Sequence, residues 1–180
     1  DKTINLVEVS TTAEVRDQFQ FGDVSVVCAN PMSDSFAEYR CDYELWEIES
    51  GYMMYIGCNI LYSPHFDDGT LRTFLTYAID RETLALDYYR GFARPANLPA
   101  SSQFPYYSQA LASRYAYDGG SAFTQAVTNA GMTGMPVVLL VNSDDSLRLR
   151  VAKTIAKNLT DAGLTVTLSA LSTGSYTTAL

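Results

Sequence analysis

The chain has 180 residues, 47% hydrophobic and 18% charged, a balance that suits one globular domain with a sizeable core and excludes a disordered chain. Its net charge of −8 disfavours nucleic acid and anionic lipid as partners, since both are gripped by clustered Lys and Arg. The longest apolar run, at residues 135–141, is far shorter than the ~18 residues that cross a bilayer.

The alternation of Ile4, Leu6, Val7 and Val9 predicts a strand over residues 3–9. Residues 13–21 follow as a short helix with Val15 and Phe19 inward, capped by Thr11 or Thr12 and ended at Gly22-Asp23. Residues 24–28 read as a second strand, which Asn30-Pro31 turns out of the sheet. Strand, helix and strand in this order predict a parallel βαβ unit. A helix at 33–40 and a hairpin of strands 44–49 and 52–58, turned at Ser50-Gly51, come next.

Leu71, Leu75, Ala78 and Ile79 then mark one face of a helix, which Asp67 or Asp68 is placed to cap. Asp80 reads as the N-cap of a second helix, with Glu82 in its first turn and Leu84 and Tyr88 inward. Residues 91–107, with Pro95, Pro99 and Pro105, predict a long irregular loop or flap. Tyr117-Asp118 opens a helix that carries Ala122, Ala126, Val127 and Ala130 on one side and stops at Gly131.

The last third predicts a second βαβ unit. Residues 137–141 are a continuous apolar run, as in a strand buried on both faces. Leu147, Val151, Ile155 and Leu159 recur every four residues, with Gly163 closing that helix. Leu164, Val166 and Leu168 alternate with polar residues, so the two strands are expected parallel with a right-handed crossover. Residues 174–180 begin another helix. Both ends of the chain are thus expected to fall inside structural elements, as in a fragment of a larger protein.

Reactive chemistry is sparse in this sequence. His65 is the single histidine, between a proline and a phenylalanine, and reads as a surface or capping residue. There is no G-x-S-x-G elbow, Walker loop or H-E-x-x-H motif, so no catalytic residue, metal or cofactor is assigned. Cys28, Cys41 and Cys58 are widely spaced. They fit three buried thiols or one disulfide with a free thiol, and the spacing does not choose between these. The pairs Asp67-Asp68 and Asp144-Asp145 suit helix capping better than shared acid–base work.

Open α/β sheets bind ligands beyond the C-terminal ends of their parallel strands. That rule selects Asn30 after the first unit, and Asn142, Ser143 and Asp144 after the apolar strand. Thr173 and Tyr176 follow the next strand. Each of these residues also suits a turn or a cap.

Residues 64–84 reduce to P-x-F-x-D-x-x-L-R-x-x-L-x-Y-A-I-D-R-x-x-L. This pattern resembles a signature of the extracellular solute-binding proteins that serve peptide and nickel ABC transporters. Phe21-Gly22-Asp23-Val24 is similar to that family's turn into a strand. Tyr55-Ile56-Gly57-Cys58-Asn59 is similar to its strand ending in Asn. Residues 117–131, 150–159 and 162–166 resemble further family segments in the same order, although Gly119 stands where the family usually has proline.

The resemblance implies a type II periplasmic-binding-protein-like lobe, a mixed sheet flanked by helices. Residues 1–180 would form one domain, the second lobe of a two-lobed receptor. It also implies Asn59 as a ligand residue, a peptide-like solute and ABC permease subunits as partners, no enzymatic activity, and a monomer. The expected place is extracellular or periplasmic, with a leader and any lipid anchor outside these residues. Two other readings compete with it: a stand-alone extracellular interaction domain, and an α/β enzyme with catalytic residues at strand ends.

Overall fold

The computed structural model describes residues 3–61, 64–67 and 69–180. In chain order the elements are α1 (Thr12–Gln20), α2 (Gly69–Phe74), α3 (Arg81–Tyr89), α4 (Gln109–Arg114), α5 (Ser121–Asn129), β1 (Pro136–Asn142), α6 (Ser146–Asp161), β2 (Thr165–Leu171) and α7 (Thr173–Ala179). Short 3₁₀ turns lie at Asp34–Glu38, Pro64–Phe66 and Leu75–Ala78. The fold is mixed α/β: helices flank a small parallel sheet in which β1 pairs with β2, from Pro136 beside Thr165 to Asn142 beside Leu171.

The second βαβ unit forms as its periodicity dictates. Val151, Ile155 and Leu159 of α6 are buried in the core and α6 packs on both strands. Its C-terminus closes with paired bonds from the Leu164 N–H to the Leu159 carbonyl (3.2 Å) and from the Gly163 N–H to the Thr160 carbonyl (2.9 Å). This closure needs a left-handed residue, and Gly163 supplies it at φ 104°. In α5, Val127 is 0% exposed and Ala122 and Ala126 are half-buried as expected, Phe123, also 0% exposed, joins them at the centre, and Ala130 faces solvent instead of the core.

The 64–84 signature is a packing device. Leu71, Leu75, Ala78 and Ile79 are all buried, but the expected single helix tightens into a 3₁₀ turn after Phe74. Asp80 caps α3, accepting from the Thr83 N–H (3.0 Å) and the Thr83 hydroxyl (2.7 Å). Arg81 staples three segments: it donates to the Asn97 side chain (2.8 Å), the Thr76 carbonyl (2.7 Å) and the Tyr115 carbonyl. Burial pushes its guanidinium pKa down. Arg72 donates to the Phe66 and Asp67 carbonyls. Of the two expected caps of α2, Asp68 lies outside the described residues, and Asp67 is engaged through its backbone.

Several expectations for the first third are corrected. Residues 3–9, 24–28, 44–49 and 52–58 are not strands, so neither the first βαβ unit nor the hairpin forms, and the sheet holds only the strands of the second unit among the described residues. A strand is stable only when a neighbour takes its backbone groups and one face is covered. Here the side chains meant for a core stand in solvent, with Leu6 94% and Tyr52 95% exposed. The helix at 33–40 shortens to the 3₁₀ turn Asp34–Glu38. Residues 91–107 are irregular as expected, but α4, capped by Ser108, follows them unforeseen.

Two further corrections concern burial. The apolar strand β1 is not covered on both faces, since Val138 is 68% exposed while Val141 is buried. The three cysteines are free thiols, and none is buried: Cys28 is exposed, Cys41 and Cys58 half-buried. Among the described residues no helix is long and apolar enough to cross a membrane.

Candidate functional site

Parallel pairing brings the C-terminal ends of β1 and β2 to one edge, and the ladder continues one step further through the Ser143 N–H to the Leu171 carbonyl (2.7 Å). At that edge Asn142, Asp144 and Thr173 form one network. Asn142 Oδ1 accepts from the Asp144 N–H (2.9 Å), and Asn142 Nδ2 donates to Thr173 Oγ1 (3.1 Å). Asp144 Oδ2 accepts from both the Thr173 N–H (2.8 Å) and the Thr173 hydroxyl (2.8 Å). These two bonds favour the ionised carboxylate and hold its pKa below the ordinary range.

Adjacent acids thus divide two helix starts between them. Asp144 caps α7 from across the sheet edge, and Asp145 caps α6 by accepting from the Arg148 N–H (2.8 Å). The expectation of capping for this pair holds, and the same contacts fix where the loop after β1 sits. Tyr176 lies one turn into α7, half-buried, with its N–H on the Ser172 carbonyl (2.8 Å).

Asn30 shapes a different corner. Its Oδ1 accepts from the Met32 N–H (2.9 Å) and its carbonyl accepts from the Ser33 N–H (3.0 Å) and hydroxyl (2.8 Å). This turn carries Ser33 and Asp34 to the wall of an open cavity of about 660 Å³. The other walls are Met32 in the same turn, Thr12 at the start of α1, Arg90 at the end of α3, and Ser146 and Arg150 on the first turns of α6. The turn of Asn30 and the helix that follows Asp145 therefore face each other across one space. Asn59 belongs to neither group: its Oδ1 accepts from the Leu61 N–H (3.1 Å) in a turn of its own. Next to it, burial pushes the Cys58 thiol pKa up, with Arg72 opposing.

Sequence reasoning passed over Arg90 and Arg150. Arg90 ends α3 in the left-handed conformation at φ 52°, a place usually taken by glycine, and its side chain donates to the Pro31 carbonyl (3.3 Å). The Arg90-Gly91 pair at a helix end was the available signal. Arg150 lies over the Tyr88 ring, 5.8 Å from its centre, and the Tyr88 hydroxyl meets Thr154 Oγ1 at 2.6 Å. Among the described residues no three His, Cys, Asp or Glu side chains come close enough to hold a metal ion.

Residues 2–179 match the family described as bacterial extracellular solute-binding proteins, family 5. No curated protein matches the chain. Among solved structures it is similar to the oligopeptide-binding protein AppA from Bacillus subtilis in complex with a nonapeptide, at 18% identity and a TM-score of 0.58 over 93% of this chain and 36% of that one. It is also similar to the periplasmic binding protein AgaA from A. tumefaciens R10 in complex with agropinic acid, at 23% identity and a TM-score of 0.59 over 67% of this chain and 24% of that one. At these identities the likeness establishes the fold. The chain spans about a third or less of the length of either protein.

Proposed function

The chain belongs to the bacterial extracellular solute-binding proteins of family 5, and from that premise we propose that residues 1–180 form one lobe of a two-lobed receptor for a peptide-like solute. The receptor closes on its ligand outside the membrane, as a periplasmic or lipid-anchored surface protein, and delivers it to ABC permease subunits. The ligand meets this lobe where the strands end, at Asn142, Ser143, Asp144, Thr173 and Tyr176, and also at Asn30 and Asn59, each in a turn of its own outside that edge.

The observation that carries this reading is the shared edge of β1 and β2. The starts of α6 and α7 converge there, and the bonds among Asn142, Asp144 and Thr173 tie the edge together. A pre-formed polar edge lowers the ordering cost of binding. Support also comes from the two similar structures, which are complexes with a nonapeptide and with agropinic acid, so a small organic solute is the ligand class.

Receptors of two lobes bury the ligand between them, and hinge closure supplies much of the contact. One lobe makes about half of that contact at a comparable entropic cost. A deficit of ~4 kcal/mol lowers affinity about a thousandfold. Calorimetry against a peptide library compares this chain with the longer protein that contains it, and the chain alone is expected to bind at least that much more weakly. Micromolar peptide binding by the chain alone would overturn the two-lobed reading and favour the stand-alone interaction domain.

A further inference from the structure

The geometry points to a carboxylate site bordering the strand-end edge on its Asn30 side: the open cavity between the 30–34 turn and α6 takes the carboxylate of a small monoanionic or zwitterionic solute, gripped by Arg90 and Arg150. Both arginines line this space. Neither forms an ion pair with a carboxylate among the described residues, although the chain carries 20 Asp and Glu against 12 Lys and Arg. Three other arginines are ion-paired, Arg16 with Asp17 and Glu38, Arg94 with Glu49, and Arg148 with Asp145, so Arg90 and Arg150 are distinguished by facing one cavity together.

Both cations are also pre-positioned. Arg90 leaves α3 from a left-handed residue and is tethered by one bond to the Pro31 carbonyl, which leaves most of its donor fork unused. Arg150 rests on the Tyr88 ring, and Tyr88 is itself fixed by Thr154. A planar fork held in this way loses little side-chain freedom when it meets a carboxylate. Thr12, Met32, Ser33 and Ser146 complete the wall.

Asp34 narrows the ligand class. It lines the same cavity and pairs with neither arginine among the described residues, so it repels a second negative charge and accepts an ammonium group. A dianion such as inorganic phosphate is therefore disfavoured relative to a monocarboxylate.

The test is an NMR titration of the ¹⁵N-labelled chain with N-acetylglycine, with N-acetylglycinamide as its uncharged counterpart and inorganic phosphate as the dianion. N-acetylglycine is expected to shift the Arg90 and Arg150 side-chain resonances and the Ser33 and Ser146 amides along one saturable curve. The amide counterpart should leave them in place. Arg90→Gln and Arg150→Gln should each weaken binding about tenfold or more, the scale of a lost charge-assisted hydrogen bond. Lys153→Gln, which removes the same charge elsewhere on α6, should not. Asp34→Asn keeps both arginines and should raise phosphate affinity, so the assignment stays testable if an arginine variant fails to fold. Equal shifts from the uncharged amide, tighter binding of phosphate than of N-acetylglycine to the unaltered chain, or unchanged affinity in both arginine variants would each overturn it. The titration reads Arg90, Arg150, Ser33 and Ser146 directly and peptide capture by the two-lobed receptor not at all, so either reading can fail without the other.

Discussion

From Pro64 onward, most regular elements pack on one another, some next in sequence and some distant. α6 returns the chain from β1 to β2, α3 packs on α6, and α2 with the turn after it packs on α5. Residues 3–61 have α1 and one 3₁₀ turn set among four extended segments without a ladder. Apart from Ile56 and Cys58, which pack against the core, this stretch is held by a chain of ring contacts, with Phe36 5.4 Å from Phe92 and Phe19 5.9 Å from Tyr39, both edge-to-face, helped by Arg16 bridging Asp17 and Glu38. The contrast teaches that the two regions are stabilised by different means. One closes its backbone bonds locally around a dry core; the other relies on surface aromatics and leaves apolar residues such as Leu6 in solvent.

Hydrogen exchange should separate the two regions most sharply. Amides of β1, β2 and the middle of α6 open only with the whole core and are expected to exchange near the global unfolding free energy, ~5 kcal/mol or more. Amides at 3–9, 24–28 and 44–58 have no ladder partner and should exchange close to the rate of an unfolded chain. Comparable protection in the two sets would erase the distinction.

Truncation mutants give the next largest effect. Phe123 is 0% exposed at the centre of the core, and Phe123→Ala is expected to cost about 3–5 kcal/mol. Phe36 is only half-buried and keeps two ring partners, Tyr39 and Phe92, so Phe36→Ala should cost about 1 kcal/mol. Urea unfolding of both variants reads the ratio, and equal losses would place the two regions in one cooperative core.

The same contrast explains what was legible in the residues. Helices satisfy their own backbone, so α1, α3, α5 and α6 followed from periodicity and caps such as Thr11, Asp80 and Asp145. The sheet pair β1 and β2 was legible because its crossover lies between its strands. The alternation at 3–9 and 52–58 was equally clear, yet a strand pattern states only a need for a partner and not its presence. α4 was missed because six residues after a proline-rich loop offer one turn of periodicity and little else. At the candidate site the turn residues were visible as punctuation after strands. Arg90 and Arg150 come together only through the packing of α3 on α6, which no local pattern encodes.

The smallest effect concerns the edge where α7 begins. Asp144 is exposed, but accepting two bonds from Thr173 depresses its pKa below the ordinary value of 3.8. An unfolded chain lacks those bonds and takes up the proton first, so the stabilisation from Asp144 is complete above that value and fades as pH falls through the depressed one. Acidification therefore loosens the start of α7 and the network with Asn142, while the core around Phe123, which contains no titrating group, stays intact. The Thr173 amide resonance reports this directly: it should titrate below the ordinary carboxylate midpoint in the unaltered chain and lose that titration in Asp144→Asn. A Thr173 midpoint at or above about 3.8 would mean that the two bonds do not hold the carboxylate in its charged form, and that the edge is looser than its geometry implies.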